Sequence, residues 1–182
     1  ADYIPGDVGW EFWKKEGNPL PERTIKILKE TDCCLFGAIT SKPKEEAQKE
    51  LIPELQDKGL VYSSPIVRLR QEFNLHTNLR PCKAYPGNPL NYKDEIDLVV
   101  FRENTEDVYI GYEWEAFSPM AQKIIDLVKK EEDWEIRPDS GIGLKPISRF
   151  GTQRLVRMAI RYALEHGKTS VTLVHKGNIM KY

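Results

Sequence analysis

The sequence predicts an α/β fold, because segments with helical periodicity alternate along the chain with short apolar segments typical of buried strands. The helical segment TIKILKETD is followed by the apolar segment CCLFGAI, and the helical segment TQRLVRMAIRYALEHG is followed by SVTLVHKGN. The run IDLVVF, residues 96–101, is a further apolar segment between polar neighbours. We therefore expect a sheet with helices packed against it.

The composition is that of a globular protein and argues against several classes of partner. The 182 residues include 27 Lys plus Arg and 28 Asp plus Glu, so nucleic acid is not expected as a main partner. No apolar run approaches the length of a membrane span, so no membrane partner is expected. Three cysteines without metal-type spacing predict buried, reduced thiols. Together with a chain start that lacks signal-peptide features, they predict a cytoplasmic protein.

Proline and serine residues define the predicted elements of the first half. A helix is expected over TIKILKETD and the residues just before it, and CCLFGAI follows as a buried strand. The charged segment KPKEEAQKELIPEL predicts a solvated helix that is interrupted at its internal proline. Ser64 can cap the next helix, in which Pro65 takes the first position.

Turn formers and alternation define the middle of the chain. PGNPLNYKDE is dense in turn-forming residues, and IDLVVF after it predicts a strand buried on both faces. Apolar and polar residues alternate over residues 109–115, and Ser118 with Pro119 predicts the start of a helix. WEIRPDSGIGLKP then predicts a second, irregular strand.

The last two predicted elements are a helix and a strand. In TQRLVRMAIRYALEHG the apolar residues repeat at helical spacing, and Gly167 ends the helix. SVTLVHKGN predicts a buried strand that turns polar at its C-terminal end, as DLVVFREN does. Ligands of open α/β sheets bind at that edge, so the two strand ends together indicate a ligand site.

Three arginines lie in or after these elements: Arg70 in a helix, Arg80 after LHTNL and Arg102 after IDLVVF. If the strands lie side by side, the three guanidinium groups can hold a small polycarboxylate through bidentate hydrogen bonds. Each arginine alone is more often part of a surface ion pair, and that alternative stays open on the residues alone.

Three further residues have both a structural and a chemical interpretation. Ser64 can cap a helix, but a helix N-terminus with a free hydroxyl also binds a carboxylate or a phosphate. Tyr109 is by its periodicity more often a core or interface aromatic. Lys176, between His175 and Gly177 at the end of an apolar strand, has few structural uses. A desolvated lysine near other cations can act as a base or a proton relay.

Four segments carry a resemblance to a known family. They are similar to consecutive segments of the β-decarboxylating (isocitrate/isopropylmalate) dehydrogenases, and within that family to the isocitrate dehydrogenases of the bacterial, homodimeric kind. The similarity is specific from about residue 60 onward and weaker before it. The segments are LRQEFNLHTNLRPCKAY, DLVVFRENTEDVYIGYEW, GIGLKPISRFGTQRLVRMAIRYALEHG and SVTLVHKGNIMKY.

The resemblance implies how the substrate is bound. Arg70, Arg80 and Arg102 match the arginines that bind the carboxylates of isocitrate, and Ser64 matches the serine that contacts the remaining carboxylate. Phe36 and Ile66 depart from the isocitrate-specific pattern, which has a lysine and an asparagine there. Both changes remove polar contacts, so a relative acting on homoisocitrate, isopropylmalate or tartrate is an alternative. Ser64 argues against isopropylmalate, whose alkyl group favours an apolar contact.

The resemblance also implies the catalytic residues and the cofactors. Tyr109 would protonate the enolate left after loss of carbon dioxide, and Lys176 would assist proton transfer in the partner subunit's site. Asn178 would lie close to the nicotinamide, and Thr40 would lie on the cofactor side. The cofactors would be NAD or NADP with Mg²⁺ or Mn²⁺. The family's metal-binding aspartates and the loop that distinguishes the two nucleotides lie beyond Tyr182.

The resemblance implies a partial chain with an isocitrate/isopropylmalate dehydrogenase-like fold. Residues 1–75 would belong to the large domain, 76–106 and 149–182 to the small α/β domain, and 107–148 to a clasp that pairs with its twin in a homodimer. The expected function is oxidative decarboxylation of isocitrate to 2-oxoglutarate, with the fragment alone inactive. The alternatives from other classes are a non-catalytic dimerisation or regulatory subunit that binds a polyanion, and a purely structural clasp module.

Overall fold

The structure, a computed structural model, describes residues 2–181 and divides into two compact units, Ala1–Asn74 and Leu75–Tyr182. The first unit is helical and the second contains both strands and helices. No helix in the described part of the chain is both long and apolar enough to cross a membrane.

The first unit contains five helices among its described residues. They confirm the helix predicted over TIKILKETD, the interruption at Pro53 and the helix that begins at Pro65, whereas the first helix was not predicted. A proline occupies the first position of the last two because that position needs no backbone N–H donor. The helices are α1 Trp10–Glu16, α2 Glu22–Lys29, α3 Lys44–Lys49, α4 Pro53–Gln56 and α5 Pro65–Glu72.

Two apolar clusters form the core of the first unit. Trp13 is fully buried against Ala47 and Leu51, and its indole N–H donates to the Ala47 carbonyl oxygen at 2.7 Å. That bond satisfies the one polar atom of a large buried side chain, which would otherwise cost free energy. The second cluster consists of Leu20, Ile25 and Leu69, and it attaches α5 to α2.

The strand predicted over CCLFGAI does not form. Residues 33–43 have no regular secondary structure, and Leu35 is 95% exposed. The prediction of buried thiols is also wrong, since Cys33, Cys34 and Cys82 are all exposed and unpaired. A strand requires a neighbouring strand to pair with its backbone groups, and the described residues of the first unit include none.

The second unit is built on an antiparallel pair of strands, β1 Thr77–Lys83 and β2 Asp97–Glu103. The turn-forming segment predicted between residues 86 and 95 connects them. Helix α7, Arg149–Glu165, packs against β2, where the rings of Phe101 and Tyr162 are 5.3 Å apart. The predicted helix is thereby confirmed, and Gly167 follows it in a left-handed conformation with φ 62°.

The prediction that IDLVVF is buried on both faces is wrong. Helix α7 covers one face of β2, whereas Leu98 and Val100 on the other face are 48% and 43% exposed. The strand predicted over SVTLVHKGN is also absent: residues 168–175 are irregular, and Val174 is 90% exposed. Among the described residues of this unit, β1 pairs with β2 and β3 with β4, and residues 168–175 pair with none of them.

The segment between β2 and α7 contains short elements. A 3₁₀ helix, Asp107–Ile110, stands where alternation predicted extended chain, and β3, Glu113–Trp114, then pairs antiparallel with β4, Ile142–Gly143. Helix α6, Pro119–Glu132, begins where predicted. The Ser118 hydroxyl accepts a hydrogen bond from the backbone N–H of Ala121 at 3.3 Å and so caps the helix.

Candidate functional site

Arg80 and Arg102 project from the same face of the β1–β2 sheet. The register places Asn78 opposite Arg102 and Arg80 opposite Val100. Directly opposed residues of an antiparallel pair share a face, as do residues two apart on one strand, so the two arginines are diagonal neighbours. This is the face that α7 leaves open. The Arg80 guanidinium also donates from Nε to the Asn78 side-chain oxygen at 3.1 Å, which fixes its direction.

Tyr109 lies against Arg102. The Arg102 guanidinium carbon is 4.1 Å from the centre of the Tyr109 ring, a cation–π contact, and the tyrosine is 38% exposed. The 3₁₀ helix that carries Tyr109 starts only four residues after β2 ends. The structure therefore brings together three of the predicted site residues, namely Arg80, Arg102 and Tyr109.

Ser64 and Arg70 lie in the first unit, on α5. Ser64 is the N-cap residue by position, but its hydroxyl makes no capping hydrogen bond. The Arg70 guanidinium makes no ion pair with another described residue, whereas Arg68 donates to the Leu20 carbonyl and pairs with Glu22. Arg68 thus stabilises the fold, and Arg70 does not share that role. Convergence of all three arginines on one substrate stays a prediction.

Thr40 lies in the irregular segment that precedes α3. Its carbonyl oxygen accepts a hydrogen bond from the Tyr62 hydroxyl at 3.2 Å. The Tyr62 ring packs between Trp10 and Trp13, with ring centres 5.0 and 5.4 Å away. An aromatic cluster thereby holds the predicted cofactor-side residue, although the segment itself has no regular structure.

Lys176 and Asn178 lie near the end of the described chain, in a turn. The backbone N–H groups of Ile179 and Met180 donate to the Lys176 carbonyl oxygen, at 3.1 and 2.9 Å. The Lys176 side chain is exposed, so the prediction of a desolvated lysine at a strand mouth is wrong for this chain by itself. Burial requires covering residues, and the residues around the turn supply none.

Phe36 has a packing role that accounts for its apolar character. Its side chain is partly buried against the cluster of Leu20, Ile25 and Leu69. A lysine at this position would place a charge on that cluster, at a desolvation cost. Ile66 lies in the first turn of α5 and is partly exposed.

Sequence reasoning did not find a polar junction that connects the end of β2 to the start of α7. We call it the β2–α7 junction and define it by Glu103, Thr105, Glu106, Ser148 and Arg154. The Glu106 carboxylate accepts from the backbone N–H of Ser148 at 2.8 Å and from its hydroxyl at 2.5 Å. Arg154 donates to the Thr105 hydroxyl, also at 2.5 Å. A serine just before a helix can be recognised from the sequence as a cap. The helix was predicted to start at residue 152, four residues after Ser148, so this cap was not recognised.

Glu103 organises the turn within this junction. Its Oε1 atom accepts from the backbone N–H and the hydroxyl of Thr105, both at 2.8 Å, and from the backbone N–H of Glu106 at 3.1 Å. Burial by itself would raise the pKa of Glu103, but these hydrogen bonds to the charged form outweigh it and lower the pKa below the usual value. The ionised carboxylate is therefore part of the fold.

Comparison with known proteins assigns the chain to a family. The family model described as "Isocitrate/isopropylmalate dehydrogenase" matches residues 2–182. The chain belongs to the isocitrate/isopropylmalate dehydrogenase family. The resemblance and the fold class predicted from the sequence are thereby confirmed, including the region before residue 60.

Two relatives of this chain carry the name isocitrate dehydrogenase [NADP]. The one from Archaeoglobus fulgidus is 44% identical over 100% of this chain and 43% of its own length, and the one from Caldococcus noboribetus is 43% identical over 96% and 38%. A crystal structure of isocitrate dehydrogenase from Methylococcus capsulatus matches with a TM-score of 0.70 at 29% identity, over 96% of this chain and 42% of that chain. The chain thus spans about two fifths of the length of these relatives.

The described residues contain no binding site for the Mg²⁺ or Mn²⁺ that the family resemblance implies. Between residues 2 and 181 no group of three or more His, Cys, Asp or Glu side chains is arranged to hold a metal ion. In the β2–α7 junction, both carboxylate oxygens of Glu106 already accept hydrogen bonds from Ser148. The described residues therefore do not fit a metal centre of their own.

Proposed function

We propose that the protein containing this chain oxidises and decarboxylates isocitrate to 2-oxoglutarate, with NADP as the hydride acceptor. The observation that carries the proposal is the shared face of Arg80 and Arg102, with Tyr109 in contact with Arg102. Two guanidinium groups beside a phenol are suited to a substrate that has carboxylates to bind and a carbon to protonate. The names of the relatives support isocitrate and NADP.

Substrate binding is assigned to arginines because their planar forks match carboxylates. Arg80 and Arg102 each form a bidentate pair with a carboxylate, and the hydrogen bond from Arg80 to Asn78 orients one fork before the substrate arrives. Ser64 and Arg70 are assigned to substrate binding on the family resemblance alone. Two fixed cations favour a polyanionic substrate over a neutral hydroxy acid.

Proton transfer is assigned to Tyr109 and Lys176. Loss of carbon dioxide leaves an enolate, and the Tyr109 hydroxyl donates a proton to its carbon. The partial exposure of Tyr109 lets its oxygen reach a ligand on the open face of the sheet. Lys176 serves as the proton relay in the site of a second copy, where neighbouring residues would supply the burial that it lacks here.

Cofactor contacts are assigned to Thr40 and Asn178. Thr40 is held by the Tyr62 hydroxyl bond, so its position is fixed relative to the core of the first unit. A bound Mg²⁺ or Mn²⁺ would stabilise the negative charge that develops on the enolate oxygen. This chain contributes the residues that bind and protonate the substrate.

We also propose a homodimer that forms through residues 107–148. The sheet formed by β3 and β4 has only two strands of two residues each, which is too small to be stable alone. Tyr112 and Phe117 beside it are 60% and 73% exposed. Pairing with the same segment of a second chain would cover these rings and the strand edges. Light scattering on the protein at its natural length is expected to give the mass of a dimer.

The experiment that tests the proposed function is a substrate panel on the protein at its natural length. Isocitrate, homoisocitrate, isopropylmalate and tartrate are each supplied with NADP or NAD and Mg²⁺, and nucleotide reduction is followed by absorbance. We expect isocitrate with NADP to give the highest kcat/KM. Absence of turnover on isocitrate would overturn the proposal. Turnover on another acid of the panel would assign the protein to a different activity within the same family.

A further inference from the structure

The β2–α7 junction lies between the two residues that the proposed chemistry uses together. Arg102 is in β2, four residues before Glu106, and Tyr109 is three residues after it. Arg102 is held by the β1–β2 register, independently of the turn that follows. The backbone of Tyr109 lacks such pairing, because it belongs to a one-turn 3₁₀ helix beyond the sheet, and its ring contacts Arg102 through its side chain alone. Its position depends on whatever fixes that turn.

Glu106 is the residue that fixes the turn to the rest of the second unit. Both of its carboxylate oxygens accept hydrogen bonds from Ser148, the residue just before α7. One accepts from the backbone N–H at 2.8 Å and the other from the hydroxyl at 2.5 Å. The same hydroxyl accepts from the Gly151 N–H at 2.9 Å, so the serine caps the helix and donates to the carboxylate at once. A carboxylate at a helix N-terminus is further stabilised by the helix dipole.

Two other contacts support the same arrangement. The backbone N–H of Asp107 donates to the Pro146 carbonyl oxygen at 2.9 Å, and Arg154 reaches Thr105 from the second turn of α7. A side chain at position 151 would overlap the Glu106 carboxylate, so the glycine there permits the close approach. Three successive residues of the turn, Thr105, Glu106 and Asp107, are attached to α7 or to the residues just before it, and Glu106 is the one that does so through a charged side chain.

We propose that Glu106 is a positioning residue: by binding Ser148 at the start of α7 it holds the Tyr109 hydroxyl at the correct place relative to Arg102. The inference rests on the proposed function, since it assigns Glu106 a role in proton delivery by Tyr109. The proposal predicts different effects on substrate affinity and on the rate of protonation. Substrate affinity depends on arginines that the sheet holds, whereas the rate of protonation depends on a phenol that the junction holds.

The test uses Glu106→Ala and Glu106→Gln in the protein at its natural length, with isocitrate and NADP. Displacement of a catalytic group by about 1 Å can cost roughly 100-fold, so we expect kcat to fall about 10- to 100-fold in Glu106→Ala. The KM for isocitrate should stay within about threefold, because uniform substrate binding is retained. Glu106→Gln keeps the shape and one acceptor, and it should restore part of kcat. Glu165→Ala, an exposed carboxylate at the other end of α7, is the matched control.

A double-mutant cycle with Tyr109→Phe distinguishes positioning from a purely structural role. If Glu106 acts through Tyr109, adding Glu106→Ala to Tyr109→Phe should lower kcat no further, whereas independent effects would multiply. Multiplying losses, or an unchanged kcat in both folded Glu106 variants, would overturn the inference while leaving the proposed function intact. An unmodified protein without isocitrate turnover would instead overturn the proposed function, and this inference with it.

Discussion

Replacing Arg102 by lysine tests the substrate site most selectively, because the charge is kept and only the planar fork is lost. Arg102 faces Asn78 across the sheet, shares its face with Arg80 and stacks over Tyr109 at 4.1 Å. Lysine cannot form the bidentate pair or the flat contact with the ring.

The size of the effect follows from the lost hydrogen bond to the substrate. One hydrogen bond to a carboxylate contributes about 1.5–3 kcal/mol. Its loss from transition-state binding corresponds to a fall of roughly 10- to 160-fold in kcat/KM for isocitrate. The contact with the Tyr109 ring is already present without substrate, so it is not added to this sum.

The assay compares steady-state NADPH formation by Arg102→Lys and by the control Arg157→Lys. Arg157 is an exposed arginine of α7, so the control makes the same substitution away from the site. The control should stay close to the unmodified protein. A kcat/KM for Arg102→Lys within about threefold of the unmodified value, well below the loss expected for one charged hydrogen bond, would refute the assignment of Arg102 to the substrate.

Three further predictions concern stability and the cofactor side. Trp13→Phe leaves the buried Ala47 carbonyl without its donor, so urea titration followed by circular dichroism should show a loss of about 1–3 kcal/mol; a loss below about 0.5 kcal/mol would contradict the packing described. The lowered pKa of Glu103 makes its contribution to stability complete above the usual value of 4.5 and lost as pH falls below it. The melting temperature of Glu103→Gln should therefore depend less on pH in that acidic range than that of the unmodified chain, and parallel curves would count against the junction. Tyr62→Phe removes the hydrogen bond from the Tyr62 hydroxyl to the Thr40 carbonyl while the ring stays packed, so the KM for NADP should rise several-fold and the KM for isocitrate should not. Equal changes in the two KM values would contradict the assignment of Thr40 to the cofactor side.

Helices were predictable where local chemistry decides them. Ser118 followed by Pro119 marked the start of α6, and Gly167 marked the end of α7, since capping depends on residues within one turn. The strands were less predictable because pairing depends on distant residues. Residues 33–39 and 170–175 are as apolar as β2, yet the structure gives them no partner and they remain irregular.

The candidate site divides in the same way. Arg80 and Arg102 could be identified from the sequence, but only the register shows that they share a face. The contact between Glu106 and Ser148 joins residues 42 positions apart, so no local pattern could reveal it. β1 was not predicted either, because polar residues and Pro81 within it are untypical of a buried strand. They are tolerated because β1 is an edge strand.

The most direct test of the proposed function is a crystal structure of the protein at its natural length with isocitrate and Mg²⁺ bound. We expect carboxylate oxygens of isocitrate within about 3 Å of the guanidinium nitrogens of both Arg80 and Arg102, the usual length of a charge-assisted hydrogen bond. The Tyr109 hydroxyl should face the carbon that loses carbon dioxide. Isocitrate bound on another surface, with these two arginines facing solvent, would contradict the assignment of this sheet face as the substrate site.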